Sequence, residues 1–152
     1  MNLARTIRFD ESDDNVFERT AQPDEWAVSG AFEFSDWTEA DLTGKARQAF
    51  ANGWLGLGSW GRAALVAVTP ITEEELASVT ELLAIHFVER YGAPNLDTAR
   101  PVAAEEIAHV SGICAGHELD TVMMIQRRIE DGQISEKLQV IRPLPPEDAP
   151  SP

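Results

Sequence analysis

The chain has 152 residues and a net charge of −14, with 26 acidic against 12 basic side chains and a single cysteine, Cys114. That length predicts one domain large enough to fold without a metal or disulfide staple, and the lone cysteine excludes an internal disulfide. The acidity opposes a nucleic-acid or membrane partner, and the opening "MNLARTIRFDESDD" resembles neither a signal peptide nor a membrane span, so a cytoplasmic protein of bacterial type is expected.

Residues 3–10 alternate, with Leu3, Ile7 and Phe9 on one face, and predict a strand. Pro23-Asp24 supplies a turn before a second strand at 26–34. Trp26, Val28, Phe32 and Phe34 share one face of it, and Ala27, Ser29, Ala31 and Glu33 the other. A helix is expected from about Thr38 to Asn52 through Leu42, Ala46, Ala49 and Phe50. Gly44 in its interior costs about 1 kcal/mol relative to alanine, and Asn52-Gly53 forms a left-handed stop.

The next stretch, "GLGSWG" (56–61), fits G-x-G-x-x-G. In a dinucleotide fold that motif follows a strand and opens a helix whose N-terminus holds the pyrophosphate. Here the order is reversed: a helix precedes the loop, and an apolar strand at 62–69 follows it. No nucleotide is expected there, and no cofactor elsewhere. The loop instead interleaves glycines with Trp54, Leu57 and Trp60, which serve either as core caps or as a contact surface together with Arg62.

A second helix has strong punctuation. Thr72 and Glu75 form a capping box, Ile71 and Leu76 a hydrophobic staple, and Gly92 with Pro94 the end. Its apolar residues, Leu76, Val79, Leu82, Leu83, Phe87 and Tyr91, mark it as the best-buried helix. A third helix is expected from about Pro101 to near Gly116, with Ile107, Val110 and Cys114 on one face. Asp131-Gly132 then signals a two-residue hairpin. Folding there pairs Ile129 with Ile134, Arg127 with Glu136, Ile125 with Leu138 and Met123 with Val140 on one face. The other face is almost wholly polar. The Pro-rich acidic segment 143–152 is expected to be a disordered tail to a single domain at 1–142. Together these elements predict an α+β fold: a mainly antiparallel sheet of about five strands, about three helices packed on one face, and a C-terminal β-hairpin.

Candidate chemistry is sparse. His86 and Glu89 lie at i, i+3 on the second helix, and Glu106 and His109 at i, i+3 on the third. Antiparallel packing of those helices would gather a zinc or iron ligand set and a metal-dependent enzyme. Surface and boundary residues are the plainer account. Cys114 with His117 lacks the second cysteine of a metal motif and reads as an inert buried thiol. Arg127 is explained by a cross-strand pair with Glu136, with an anion or partner contact as the alternative.

The segments "TGKARQAFANGWLGLGSWGR" (43–62) and "HFVERYGAP" (86–94), with the opening "RTIRFD", resemble a family of small uncharacterised alphaproteobacterial proteins. The resemblance covers all but the tail. That family brings no catalytic motif; the resemblance implies genes encoded near maturation factors of molybdenum-dependent oxidoreductases, which would favour an accessory role. The leading expectation is a non-catalytic accessory or adaptor protein acting through protein–protein contacts at the Gly/Trp loop. The small-residue face Ala27, Ser29, Ala31 is open to a partner or a second copy. The alternative is a small-molecule pocket between sheet and loop, lined by Trp54, Trp60 and Arg62.

Overall fold

The computed structural model describes residues 1–8 and 12–141. Phe9 of the first expected strand and the whole expected tail at 143–152 lie outside them. The first strand, β1 (Asn2–Ile7), leads into a single helical turn, α1 (Ser12–Val16). Next come β2 (Trp26–Val28), two 3₁₀ turns (Ala31–Phe34 and Glu39–Asp41) and α2 (Gly44–Asn52). Three strands follow, β3 (Trp54–Gly56), β4 (Arg62–Ala63) and β5 (Leu65–Pro70), then α3 (Glu73–Arg90) and α4 (Leu96–Ala115). The hairpin β6 (Val122–Glu130) and β7 (Gln133–Ile141) completes the order. The architecture is α+β, with four α-helices and a curled seven-stranded antiparallel sheet of order β4-β3-β2-β1-β5-β6-β7 among the described residues.

The C-terminal hairpin takes the expected register at every position, from Ile129 opposite Ile134 to Met123 opposite Val140. Asp131 (φ 51°) and Gly132 (φ 77°) supply the paired left-handed residues a type I′ turn requires. The cap of α3 forms as expected: Thr72 Oγ1 accepts from the Glu75 amide at 3.1 Å and Glu75 accepts from the Thr72 amide at 3.0 Å.

Other expectations are corrected. The strand expected over 26–34 ends at Val28, because Gly30 adopts φ 75° and turns the chain into the first 3₁₀ turn. The helix expected from Thr38 divides in two, since Gly44 is left-handed (φ 55°) and starts α2 rather than sitting inside it. Gly53 is extended, not a left-handed stop. The sheet gains two strands beyond the expected five: the Gly/Trp loop is itself a hairpin, β3–β4, and a bend at Ala64 separates β4 from β5. Helix α4 begins five residues before Pro101, where the Asn95 side chain accepts from the Thr98 amide. It buries Ala99, Ala103, Ile107, Val110 and Cys114, and α3 buries Val79, Leu83, Ala84 and Phe87, so the two helices share the burial expected mainly of α3. Nor is the small-residue face open: Ala27 and Ser29 are buried.

The hairpin explains the G-x-G-x-x-G spacing. A Cβ on Gly56 would meet Ala21 and Glu25 at 3.1 Å, one on Gly58 would lie 2.8 Å from Glu25 Oε1, and one on Gly61 would lie 2.5 Å from the Thr20 backbone. All three glycines therefore face one loop, residues 20–25. Glu25 fastens that loop to the hairpin tip, accepting from the Ser59 amide at 2.6 Å and the Ser59 hydroxyl at 2.7 Å. The motif is a packing seam between two backbones.

Candidate binding site beside Trp60 and Arg62

Arg62 starts β4, but its guanidinium is buried beneath the corner that Gly30 creates. Nη1 donates to the carbonyls of Ser29 (3.2 Å) and Gly53 (3.1 Å), and Nη2 to that of Gly30 (3.1 Å) and to the Glu33 carboxylate. The space exists because Gly30 carries no side chain: a Cβ there would fall 2.7 Å from Nη1. Burial lowers the Arg62 pKa to about 10, with Glu33 opposing that shift, so the group stays charged at neutral pH. The Phe34 ring lies 4.6 Å from the guanidinium carbon, a cation–π contact.

The other carboxylate oxygen of Glu33 accepts from the Tyr91 hydroxyl, which ties the first 3₁₀ turn to the end of α3. Burial, reinforced by Glu33, pushes the Tyr91 phenol well above its usual range. Next to Tyr91, the His86 imidazole stacks on Trp60 with centroids 3.7 Å apart and planes 4° from parallel. Burial lowers the His86 pKa and keeps the ring neutral, and its Nε2 is buried without a hydrogen-bond partner. Trp60 itself has φ 60°, a left-handed conformation that a bulky residue seldom takes. Strain of that kind persists where surrounding contacts fix the residue, and here the His86 stack is such a contact.

Two depressions flank this network. On one side is a pocket of about 230 Å³, walled by the rings of Phe17, Phe34, Trp37 and Trp60 and bordered by Arg19, Lys45 and Arg62, with Glu18 and Glu33 as the carboxylates. On the other is an apolar groove of about 470 Å³ along Phe32, Phe87, Tyr91, Pro94, Ala99 and Val102. Phe32 stands edge-on to Phe87 at 4.8 Å and to Tyr91 at 5.3 Å, forming its floor.

The expected site residues distribute unevenly. Trp60 and Arg62 meet at the pocket. Trp54 and Leu57 belong to the core, as in the core-cap reading and against the contact-surface alternative. Arg127 is also buried: it pairs with Glu136 at 2.7 Å and donates to the carbonyls of Phe50 (2.9 Å), Gly53 (2.8 Å) and Ser29, with the Ser29 hydroxyl oxygen 3.4 Å from Nη2, so its donors are taken up within the protein. The four residues of the expected metal set are not gathered. His86 lies on Trp60, Glu89 is exposed, and His109 with Glu106 lies near Glu136 on α4's other contacts. Among the described residues, no group of three or more His, Cys, Asp or Glu is placed to hold a metal ion. Glu33 and Tyr91 escaped the sequence reading because 58 residues separate them and neither belongs to a local motif.

The model of a family of unknown function, DUF6505, matches residues 1–148. The chain belongs to that family. No curated protein and no solved structure matches it. Among the described residues, no helix is long and apolar enough to cross a membrane.

Proposed function

We propose that the protein is a non-catalytic binding protein for a small planar organic anion, held in the pocket beside Trp60 and Arg62. One observation carries this reading. In a chain of net charge −14, a single pocket collects four aromatic rings and three cations, and its cations outnumber its carboxylates. Aromatic walls favour a planar body, and an excess of positive charge favours an anionic group. Glu33 and Arg62 offset each other as an ion pair, so Arg19 and Lys45 against Glu18 carry the excess of positive charge.

The test uses nitrobenzoate, which quenches tryptophan emission, with neutral nitrobenzyl alcohol as control. Nitrobenzoate is expected to quench saturably and raise the melting temperature. Charge reversal at the exposed Arg19 and Lys45 should remove both effects without unfolding the chain. Equal binding of the neutral compound, or retention in the Arg19→Glu, Lys45→Glu variant, would refute the reading.

A second reading, an accessory protein that takes an apolar segment of a partner, is favoured by the groove. Tyr91 and Val102, 43% and 48% exposed, stand at its rim. Val102→Glu should then abolish a partner contact and leave nitrobenzoate binding intact.

A further inference from the structure

The two edges of the sheet are unlike. At one end β4 is closed by earlier parts of the chain: Thr20 bridges Arg62, the Ala21 amide donates to the Arg62 carbonyl at 2.9 Å, and the Arg62 amide donates to the Arg19 carbonyl at 2.8 Å. At the other end β7 has β6 as its sole strand partner among the described residues. It runs nine residues in unbroken register, with no proline or bulge to blunt it. The two-residue turn makes Glu130 and Gln133 a hydrogen-bonded pair, so Ile134, Glu136, Leu138 and Val140 turn their amides and carbonyls outward. Glu136 shows the consequence: the residue is exposed although its side chain is only 23% accessible. Apolar side chains are uncovered there too. A cavity of about 280 Å³ under α4, lined by Ile113, Glu136 and Leu138 among others, leaves the inner face of β7 partly open, and Val140 is 43% exposed.

Charge selects the occupant of this edge. In the hairpin, residues 122–141, Arg127, Arg128 and Lys137 balance Glu130, Asp131 and Glu136, so the whole net charge of −14 lies elsewhere in the chain. The hairpin is thus where a second copy can approach without like-charge repulsion. We propose that β7 pairs antiparallel with β7 of a second copy about a twofold axis at Leu138, joining two sheets into one. A twofold axis normal to the sheet keeps every side chain on its own face, so it must pass through a residue. At Glu136 or Lys137 it would set like charges opposite each other. At Ser135 or Gln139 it would pair only five residues of each strand as described. At Leu138 it pairs 135–141, sets Leu138 against its own copy, and places Val140 and Gln139 opposite Glu136 and Lys137 of the second copy. Glu136 keeps Arg127 as its ion-pair partner in this arrangement.

The test is sedimentation velocity of the full chain over a concentration series, at physiological ionic strength to screen the charge of the remaining surface. A reversible monomer–dimer equilibrium is expected. Val140→Pro removes an outward-pointing donor and no bond to β6, so it should weaken the dimer about tenfold or more while the chain stays folded. The register is read at the exposed Gln139. Gln139→Glu creates two cross-axis ion pairs with Lys137 and should tighten the dimer about fivefold, whereas Gln139→Lys should weaken it about fivefold. Net charge alone gives the reverse order, since glutamate adds to the negative charge of the chain and lysine subtracts from it. The proposal is overturned if the chain stays monomeric, if the dimer survives a folded Val140→Pro variant unchanged, or if the two Gln139 variants rank as net charge predicts. Should Val140→Pro fail to fold, the Gln139 pair decides alone.

Discussion

Alanine at Gly61 and at Gly92 should separate two kinds of glycine requirement. At Gly92 the backbone is left-handed (φ 74°) and a Cβ would meet nothing within 4 Å, so the substitution costs only conformational strain, about 1 kcal/mol. At Gly61 no positive φ is involved, but the new Cβ would lie 2.5 Å from the Thr20 carbonyl carbon and 2.6 Å from the Ala21 nitrogen. Both are backbone atoms, so no side chain can swing away. Ordinary contact needs the chains to separate by about 1 Å, and two hydrogen bonds flanking the glycine resist that: Ala21 N–H to Arg62 O at 2.9 Å and Arg62 N–H to Arg19 O at 2.8 Å. Losing both costs about 2 kcal/mol, and overpacking adds about 1–3, giving about 3–5 kcal/mol. For a domain of this size that is a fall in melting temperature of about 10 °C, against about 3 °C for Gly92→Ala. Thermal unfolding followed by circular dichroism reads both. If Gly61→Ala costs no more than Gly92→Ala, the packing-seam account of the glycine motif is wrong.

Thr72→Ala should cost about 1 kcal/mol, because it removes one arm of the α3 capping box; urea unfolding checks it. Burial raises the Cys114 thiol to about 11, so iodoacetamide at neutral pH should label it only after unfolding. The same shift has a sign in stability. The thiol ionises near pH 9 when unfolded and near 11 when folded, so its contribution to stability is present below pH 9 and declines as pH rises toward 11. Chemical denaturation of wild type and Cys114→Ala across that window should show a shallower decline in the variant. Arg62→Met should destabilise by about 3 kcal/mol, since it removes the cation paired with the partly buried Glu33 carboxylate and takes one donor from each of three carbonyls; adding Glu33→Gln should recover part of that loss in a double-mutant cycle.

The elements legible in the sequence were those whose signals are local. The hairpin's register follows from Asp131-Gly132 and a strict period of two, and the start of α3 from Thr72 and Glu75 three residues apart. Failures came where one backbone angle overrode a continuing pattern. Apolar residues keep alternating through Phe32 and Phe34, but the left-handed Gly30 has already ended β2. The helical period runs through Leu42 to Phe50, but the left-handed Gly44 restarts the helix. Of the candidate site, Trp60 and Arg62 were visible as unusual residues in a glycine-rich loop. Their partners were not, because Glu33 and Tyr91 reach them only through tertiary packing.

Two like charges buried in one protein interior ask for a physical reason, and the carbonyls supply it. The end of β2 and the junction of α2 with β3 meet where neither can complete a backbone ladder, leaving the carbonyls of Ser29, Gly30, Phe50 and Gly53 facing inward. Arg62 and Arg127 share the oxygens of Ser29 and Gly53 and take one further carbonyl each at Gly30 and Phe50. A guanidinium presents five donors in a rigid fork, so two of them can satisfy a cluster that a lysine or a neutral side chain could not. Each cation then has its own carboxylate, Glu33 for Arg62 and Glu136 for Arg127, and these point in different directions. Glu33 borders the aromatic pocket and Glu136 the cavity under α4. The two carboxylates thus stand at opposite ends of one hydrogen-bonded core, and a side chain at Gly53, whose Cβ would lie 2.9 Å from Arg62 Cδ, would disturb the carbonyl that both arginines share.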